Sequence, residues 1–342
     1  MWPAGLVSPL ATWFAGPAAV DRFRRRYLGR TPVVLPARDR RWHTIAPDFG
    51  TAVRMAETGA PFQIAVERRY DRSGDPRRLR GALADGATVF LPQVHQLLPR
   101  LMRLMVALRS TLLGPLREEV SFLFVVEGRS RAAMGLHHDG PVDAFWVQLE
   151  GRRTVTIGPP VRPGTRADLD SRRMRQEPGW HTLDLEPGSL FHLPPWTPHD
   201  VVCHRRSLAL SLTWRRPDAR SRRATTTQRR AGLVAWDVVS GRVDAMPQVS
   251  RSRLWTQVPV VAGAVSRGSF DLVTPDGRWR LPASVRPLAA GLASMPSLEA
   301  AGHPRARALL DLLLAHGVLA PHDLPLRIDP GVPLALDGWR FG

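Results

Sequence analysis

The chain has 342 residues, of which 44% are hydrophobic and 23% charged, with 28 glycines and 32 prolines, so it is a folded, loop-rich protein of two domains or of one large domain with an appendage. Its single cysteine, Cys203, excludes an intramolecular disulfide scaffold, a cysteine-type zinc site and an iron–sulfur cluster, and it points to a cytoplasmic protein. The formal net charge of +18 is carried by arginine alone and is dispersed in pairs along the whole chain, which makes nucleic-acid binding a subordinate reading.

The N-terminal stretch Met1–Val20 is apolar but has no basic residues ahead of it, unlike a secretory leader. A helix is expected around Val20–Leu28 and a short strand at Pro32–Leu35, followed by polar turns. Gly86–Leu91 reads as a compact strand. Pro99–Leu113 reads as an amphipathic helix, with Leu101, Leu104, Met105, Leu108 and Leu112 at helical spacing and Pro99 suited to its first turn. The longest apolar run, Leu101–Leu116, is broken by Arg103 and Arg109, so no membrane span is expected.

Between Val120 and Trp214 the chain predicts many short strands: Ser121–Glu127, Asp143–Leu149, Arg153–Ile157, His181–Leu185, Ser189–Leu193 and Ser207–Trp214. Gly/Pro turns separate them, which argues for a sandwich or jelly roll over a parallel sheet. Arg215–Gly232 is rich in Arg, Ser and Thr without apolar periodicity, a linker signature. Beyond it, Asp276-Gly277 marks a tight turn. Helical runs follow at Pro282–Ser294 and Arg305–His316, with Gly317 placed as a C-cap and an extended Leu324–Ile328.

Chemistry concentrates in two places. His137-His138-Asp139 sets an imidazole and a carboxylate two residues apart, so that in extended chain His137 and Asp139 point to one side. Sixty residues after Asp139, the proline-rich Leu193-Pro-Pro-Trp-Thr-Pro-His199 presents a second imidazole. Two histidines and one carboxylate cap one face of a metal and leave three positions open, the donor set of non-haem Fe(II) oxygenases. His192 lies inside a strand and reads as a structural histidine. Cys203 reads as a buried free thiol.

With the aromatic strand that ends in Gln148-Leu-Glu-Gly-Arg-Arg153 and the Pro-Pro-x-x-Pro-His loop, the chain resembles the JmjC/cupin-type Fe(II)- and 2-oxoglutarate-dependent oxygenases, in their ribosomal oxygenase-like branch. The resemblance extends from Phe23–Leu35 through Gly86–Leu116 and Val120–Trp214, and more loosely to the C-terminal part. It implies a mainly β, α+β fold: a double-stranded β-helix core with a helical N-terminal flank and a small winged-helix-like module. The implied domains are an oxygenase domain over 1–216 with its core at about 85–216, a linker or dimerisation segment over 217–262, and the module over 263–342.

It further implies His137, Asp139 and His199 as iron ligands, Arg153 as the partner of the distal carboxylate of 2-oxoglutarate, and Ser211 as a small polar residue lining the cosubstrate pocket. Arg152 is expected to point outward, because strand side chains alternate. The implied reaction hydroxylates a C–H of a protein or peptide side chain, with succinate and carbon dioxide as coproducts. Alternatives are hydroxylation of a small molecule or peptide natural product, and a catalytically silent cupin binding RNA or a protein partner. A homodimer is the expected assembly. Two features depart from the family's pattern. Asp143 stands one residue further from Asp139 than the corresponding carboxylate does in relatives, and Trp196 occupies a loop position that is often small there.

Overall fold

The computed structural model describes residues 9–215 and 253–321, apart from short stretches within each. The Arg215–Gly232 linker beyond its first residue, most of the 217–262 segment, Gly317 and Leu324–Ile328 lie outside the described residues.

Local signals in the first hundred residues place the helices of the flank. Helix α1 (Pro17–Arg26) starts on a proline at its first position and buries Phe23. After β1 (Val33–Leu35), α2 (Phe49–Glu57) is capped by Asp48, whose carboxylate accepts the Thr51 N–H at 2.7 Å. The hairpin of β2 (Gln63–Val66) and β3 (Arg69–Asp71) leads to α3 (Pro76–Ala84), capped by Asp75. Strand β4 (Thr88–Pro92) is buried throughout, and α4 (Val94–Leu97) and α5 (Pro99–Leu108) follow. The sequence predicts one helix to Leu113. Instead the α-helix ends at Leu108 and a π-helical turn spans Arg109–Leu113. That change falls at a buried arginine, whose Nη1 donates to both carboxylate oxygens of Glu119 at 2.9 Å.

The core follows as β5 (Glu118–Val126), β6 (Ser130–Arg131), β7 (Val142–Glu150) and β8 (Arg153–Ile157). It continues with β9 (His181–Leu185), β10 (Leu190–Leu193), β11 (His199–Cys203) and β12 (Ser207–Arg215). Strands β5, β7, β10 and β12 join the flank's strands in an eight-stranded sheet ordered β1-β10-β7-β12-β5-β4-β2-β3, while β6, β11, β8 and β9 form a four-stranded sheet. The chain thus passes back and forth between two antiparallel sheets, the double-stranded β-helix expected.

Side-chain alternation divides the apolar residues of the large sheet between two cores. Leu123, Phe145, Val147, Leu210 and Trp214 face the helices of the flank. Phe122, Ala144 and Trp146 face the other way, onto Val155, Ile157 and Val201 of the small sheet. Strand β7 is therefore buried on both faces, whereas β8 alternates buried and half-buried positions.

The C-terminal part holds β13 (Arg253–Thr256), β14 (Val261–Ala262), β15 (Ser269–Thr274), β16 (Gly277–Pro282), α6 (Arg286–Leu292), β17 (Ser297–Glu299), α7 (Arg307–Ala315) and β18 (Leu319–Pro321). It has its own core, to which Leu254, Phe270, Leu272, Leu310 and Leu313 contribute. Its two three-stranded sheets, β17-β13-β18 and β14-β15-β16, make it richer in strand than its sequence predicts. Most of these strands have two to four residues, too short for an alternating pattern to register. Because Leu254 and Val260 pack in this core, the packing unit takes in chain before residue 263.

Candidate metal centre

His137 and His199 are brought together by backbone pairing. His137 lies on an isolated bridge to His199, with N–H to O=C bonds of 3.0 and 2.8 Å in the two directions, and their rings stand 4.2 Å apart. The Asp139 carboxylate approaches from the same turn, with Oδ1 3.4 Å from His137 Nε2. One ligand atom from each of the three residues lies within 4.8 Å of the others.

Each imidazole is oriented by the carbonyl two residues before it. His137 Nδ1 donates to Gly135 O at 2.8 Å, and His199 Nδ1 donates to Thr197 O at 3.0 Å. A backbone carbonyl holding Nδ1–H in this way is the usual arrangement behind a histidine that meets a metal through Nε2.

Electrostatics agree with such a role. Burial lowers the pKa of His199 to about 4, aided by the neighbouring His137 and opposed by Asp139. For Asp139 burial acts to raise the pKa, but the hydrogen bond with His137 and the charges of the surrounding histidines outweigh it and bring the value down to about 2. At neutral pH the centre therefore offers an ionised carboxylate and a neutral His199 imidazole, the forms that bind a divalent cation.

The two ligands of the first segment owe their place to a tight turn. Gly140 takes φ +72°, and its carbonyl accepts the N–H of Val142 and that of Trp196, at 2.9 and 2.8 Å. This three-residue turn lies between Asp139 and Asp143. Asp143 itself is turned away, fully buried on the helix-facing side of the large sheet, with Oδ1 3.5 Å from His192 Nε2. His192 sits there against the rings of Phe23 and Phe145.

The triad opens into a cavity between the two sheets, whose lining includes Trp146, Arg153, Cys203, Ser211 and Thr213. Arg153 is buried. Its Nε donates to Ser207 Oγ at 2.9 Å, its guanidinium lies 5.7 Å from the Phe124 ring centroid, and no carboxylate among the described residues pairs with it. Gln148 Nε2 also donates to Ser207 Oγ, at 3.0 Å. Arg152 points outward as expected and pairs with Asp184 at 2.5 Å and Glu186 at 3.2 Å.

The sequence places His199 in a proline-rich loop, whereas it opens strand β11, and that pairing sets its direction. Sequence reasoning also passes over Ser207, which braces Arg153, and Trp146, whose ring lies 5.2 Å from that of His199. The inward position of Trp146, one residue on from Phe145 in a strand already recognised, was the available signal.

Residues 102–221 match the family model described as a JmjC domain. Among solved structures the chain is similar to the ribosomal oxygenase YcfD from Escherichia coli, at 15% identity and a TM-score of 0.58, over 88% of this chain and 97% of that one. The same protein in complex with cobalt and succinic acid aligns at a TM-score of 0.60 and 15% identity, over 88% of this chain and 98% of that one. Its complex with cobalt and 2-oxoglutarate aligns at 0.57, with the same identity and coverage. At this identity the likeness shows the fold. No curated protein matches the chain.

Proposed function

We propose that this chain, with a JmjC domain over residues 102–221, is an iron(II)- and 2-oxoglutarate-dependent oxygenase that hydroxylates a C–H of a protein or peptide side chain. The observation that carries the reading is the convergence, in one cavity, of the His137–Asp139–His199 triad and the buried Arg153, with which no carboxylate among the described residues pairs. The donor chemistry suits the ion. Two imidazoles with correctly oriented Nε2 atoms and one carboxylate hold one face of Fe(II) and leave positions for a bidentate cosubstrate.

When bound, iron and 2-oxoglutarate supply the oxidation, coupling loss of carbon dioxide and formation of succinate to transfer of one oxygen atom into the substrate's C–H bond. The protein's own part is positioning. A buried guanidinium without a counter-ion carries an unrepaid desolvation cost, which a carboxylate arriving with two parallel hydrogen bonds offsets. Ser207 holds Arg153 by its Nε, so its terminal nitrogens are the ones available to a ligand. Ser211, buried on β12 and lining the cavity, adds a hydroxyl there. The apolar walls of Phe122, Phe124 and Trp146 keep water away from the reacting centre.

A protein substrate is favoured over a small molecule because the fold match covers 97% of a ribosomal oxygenase's chain, flank and C-terminal part included. Incubation with Fe(II), 2-oxoglutarate and a mixture of ribosomal proteins tests this. The expected result is substrate-stimulated succinate release with a mass gain of one oxygen on a single protein. Succinate release stimulated only by small molecules would contradict the protein-substrate reading.

A further inference from the structure

We propose that Trp196 and His138 are positioning residues that clasp together the two chain segments bearing the metal ligands, and so set the distance of His199 from His137 and Asp139. This rests on the metal-centre reading and extends it to two residues outside the donor set.

The ligands come from separate segments, the Gly135–Asp139 stretch and the proline-rich loop ahead of β11. Besides the His137–His199 backbone bridge and the triad itself, the two meet at the turn around Gly140. Trp196 N–H donates to Gly140 O at 2.8 Å, and the Trp196 ring lies against His138 at 5.9 Å between centroids, tilted by 43°. A Cβ built on Gly140 would touch the same ring at 3.9 Å.

His138 completes the clasp from the other side. It is fully buried, and its Nδ1 accepts the Gly140 N–H at 3.2 Å, holding the glycine in its left-handed conformation. The peptide groups flanking Gly140 are thus tied on both sides, its N–H to His138 and its carbonyl to Trp196.

Trp196 stands at φ +64°, a region that bulky side chains rarely adopt. Its carbonyl accepts the Val161 N–H at 2.8 Å, so the residue is braced through both of its backbone groups. Glycine or asparagine would meet that backbone demand with less strain. What tryptophan contributes is the ring, and the ring lies on His138. Neither side chain lines the cavity around the triad, as expected of residues that position the ligands from behind.

The test is a Co(II) titration of the full chain, read by affinity and by the visible absorption of the bound ion, which reports ligand geometry whatever the turnover. Trp196→Gly relaxes the backbone and deletes the ring. His138→Leu keeps the bulk and deletes the acceptor. Each is expected to weaken Co(II) binding by roughly 10-fold or more and to alter the absorption. Trp196→Phe restores a ring, and His138→Asn restores an acceptor near the Nδ1 position, so both return toward the parent. The double variant Trp196→Gly/His138→Leu falls no further than the weaker single variant, because both changes open one clasp.

Parent-like affinity and absorption in folded Trp196→Gly and His138→Leu overturn the clasp while leaving the metal centre standing. A parent protein that takes up no Co(II) overturns the metal-centre reading and the clasp with it. Thermal melts of the metal-free variants establish that each is folded at the titration temperature.

Discussion

Arg153 concentrates the case for a dicarboxylate cosubstrate in one side chain, since its charge is buried, held from one end by Ser207 and unmatched by any carboxylate among the described residues. Losing one or two charge-assisted hydrogen bonds costs about 1.5–3 kcal/mol each. Arg153→Ala is therefore expected to raise the KM for 2-oxoglutarate by roughly 10- to 100-fold or more, while Fe(II) affinity stays near the parent's. Steady-state kinetics at varied 2-oxoglutarate, with Fe(II) titrated separately, reads both. Equal losses in the two would contradict the assignment.

A second residue makes a prediction for stability. Burial, with the charge of Arg109, pushes the pKa of His95 down to about 3, and its Nδ1 sits 2.7 Å from Ser121 Oγ. In the unfolded chain an ordinary histidine titrates near 6.5. Between those values the unfolded state binds a proton that the native state refuses, so stability falls as pH drops from about 6.5 toward 3. His199, lowered to about 4, works in the same direction. His95→Gln should flatten this acid limb in melts across the range. Parallel curves for variant and parent would mean that His95 contributes nothing to it.

At the scale of elements, what the sequence made legible was the core. Arg153–Ile157 and His181–Leu185 are strands over the expected residues, and Asp143–Leu149 extends by one residue at each end. These strands alternate or run apolar between Gly and Pro turns, the strongest local pattern a strand can carry. Strand β11 was hidden because a proline run precedes it and draws attention to the loop. The small helices α2 and α3 were hidden for a different reason: each spans only nine residues, and much of what stabilises them comes from packing against distant chain. The triad was visible as residues, but its convergence depends on the His137–His199 bridge, which no local pattern announces.

The turn between β7 and β8, where the chain crosses from the large sheet to the small one, leads directly into Arg153. Gly151 turns there at φ +70°, and a Cβ on it would lie 1.9 Å from the carbonyl oxygen of Arg206. Gly151→Ala is expected to destabilise the protein by about 2 kcal/mol or more, read as a lowered urea midpoint at unchanged slope. A midpoint equal to the parent's would mean that the turn is less constrained than its geometry indicates.

For the whole molecule, the flank and the core are joined by more than apolar contact. Arg109, on the π-helical turn, reaches Glu119 on β5, and the same carboxylate accepts Trp214 Nε1–H from β12 at 3.0 Å. Some surface arginines are matched by acid, as in Arg80 with Glu57 at 2.5 Å and Arg206 with Glu127 at 3.2 Å. With 48 basic and 30 acidic residues, such pairing leaves the net charge of +18, which the sequence disperses along the chain. Among the described residues no helix is long and apolar enough to cross a membrane.

The central claim is that the cavity between the sheets takes iron at His137, Asp139 and His199 and 2-oxoglutarate at Arg153. Anaerobic addition of Fe(II) and then 2-oxoglutarate to the purified protein, followed by visible absorption, tests it most directly, because chelation of ferrous iron by the cosubstrate produces a charge-transfer band. The band should appear and saturate in the parent, and it should be absent in His199→Ala. Its absence from the folded parent at saturating iron and 2-oxoglutarate would contradict the account.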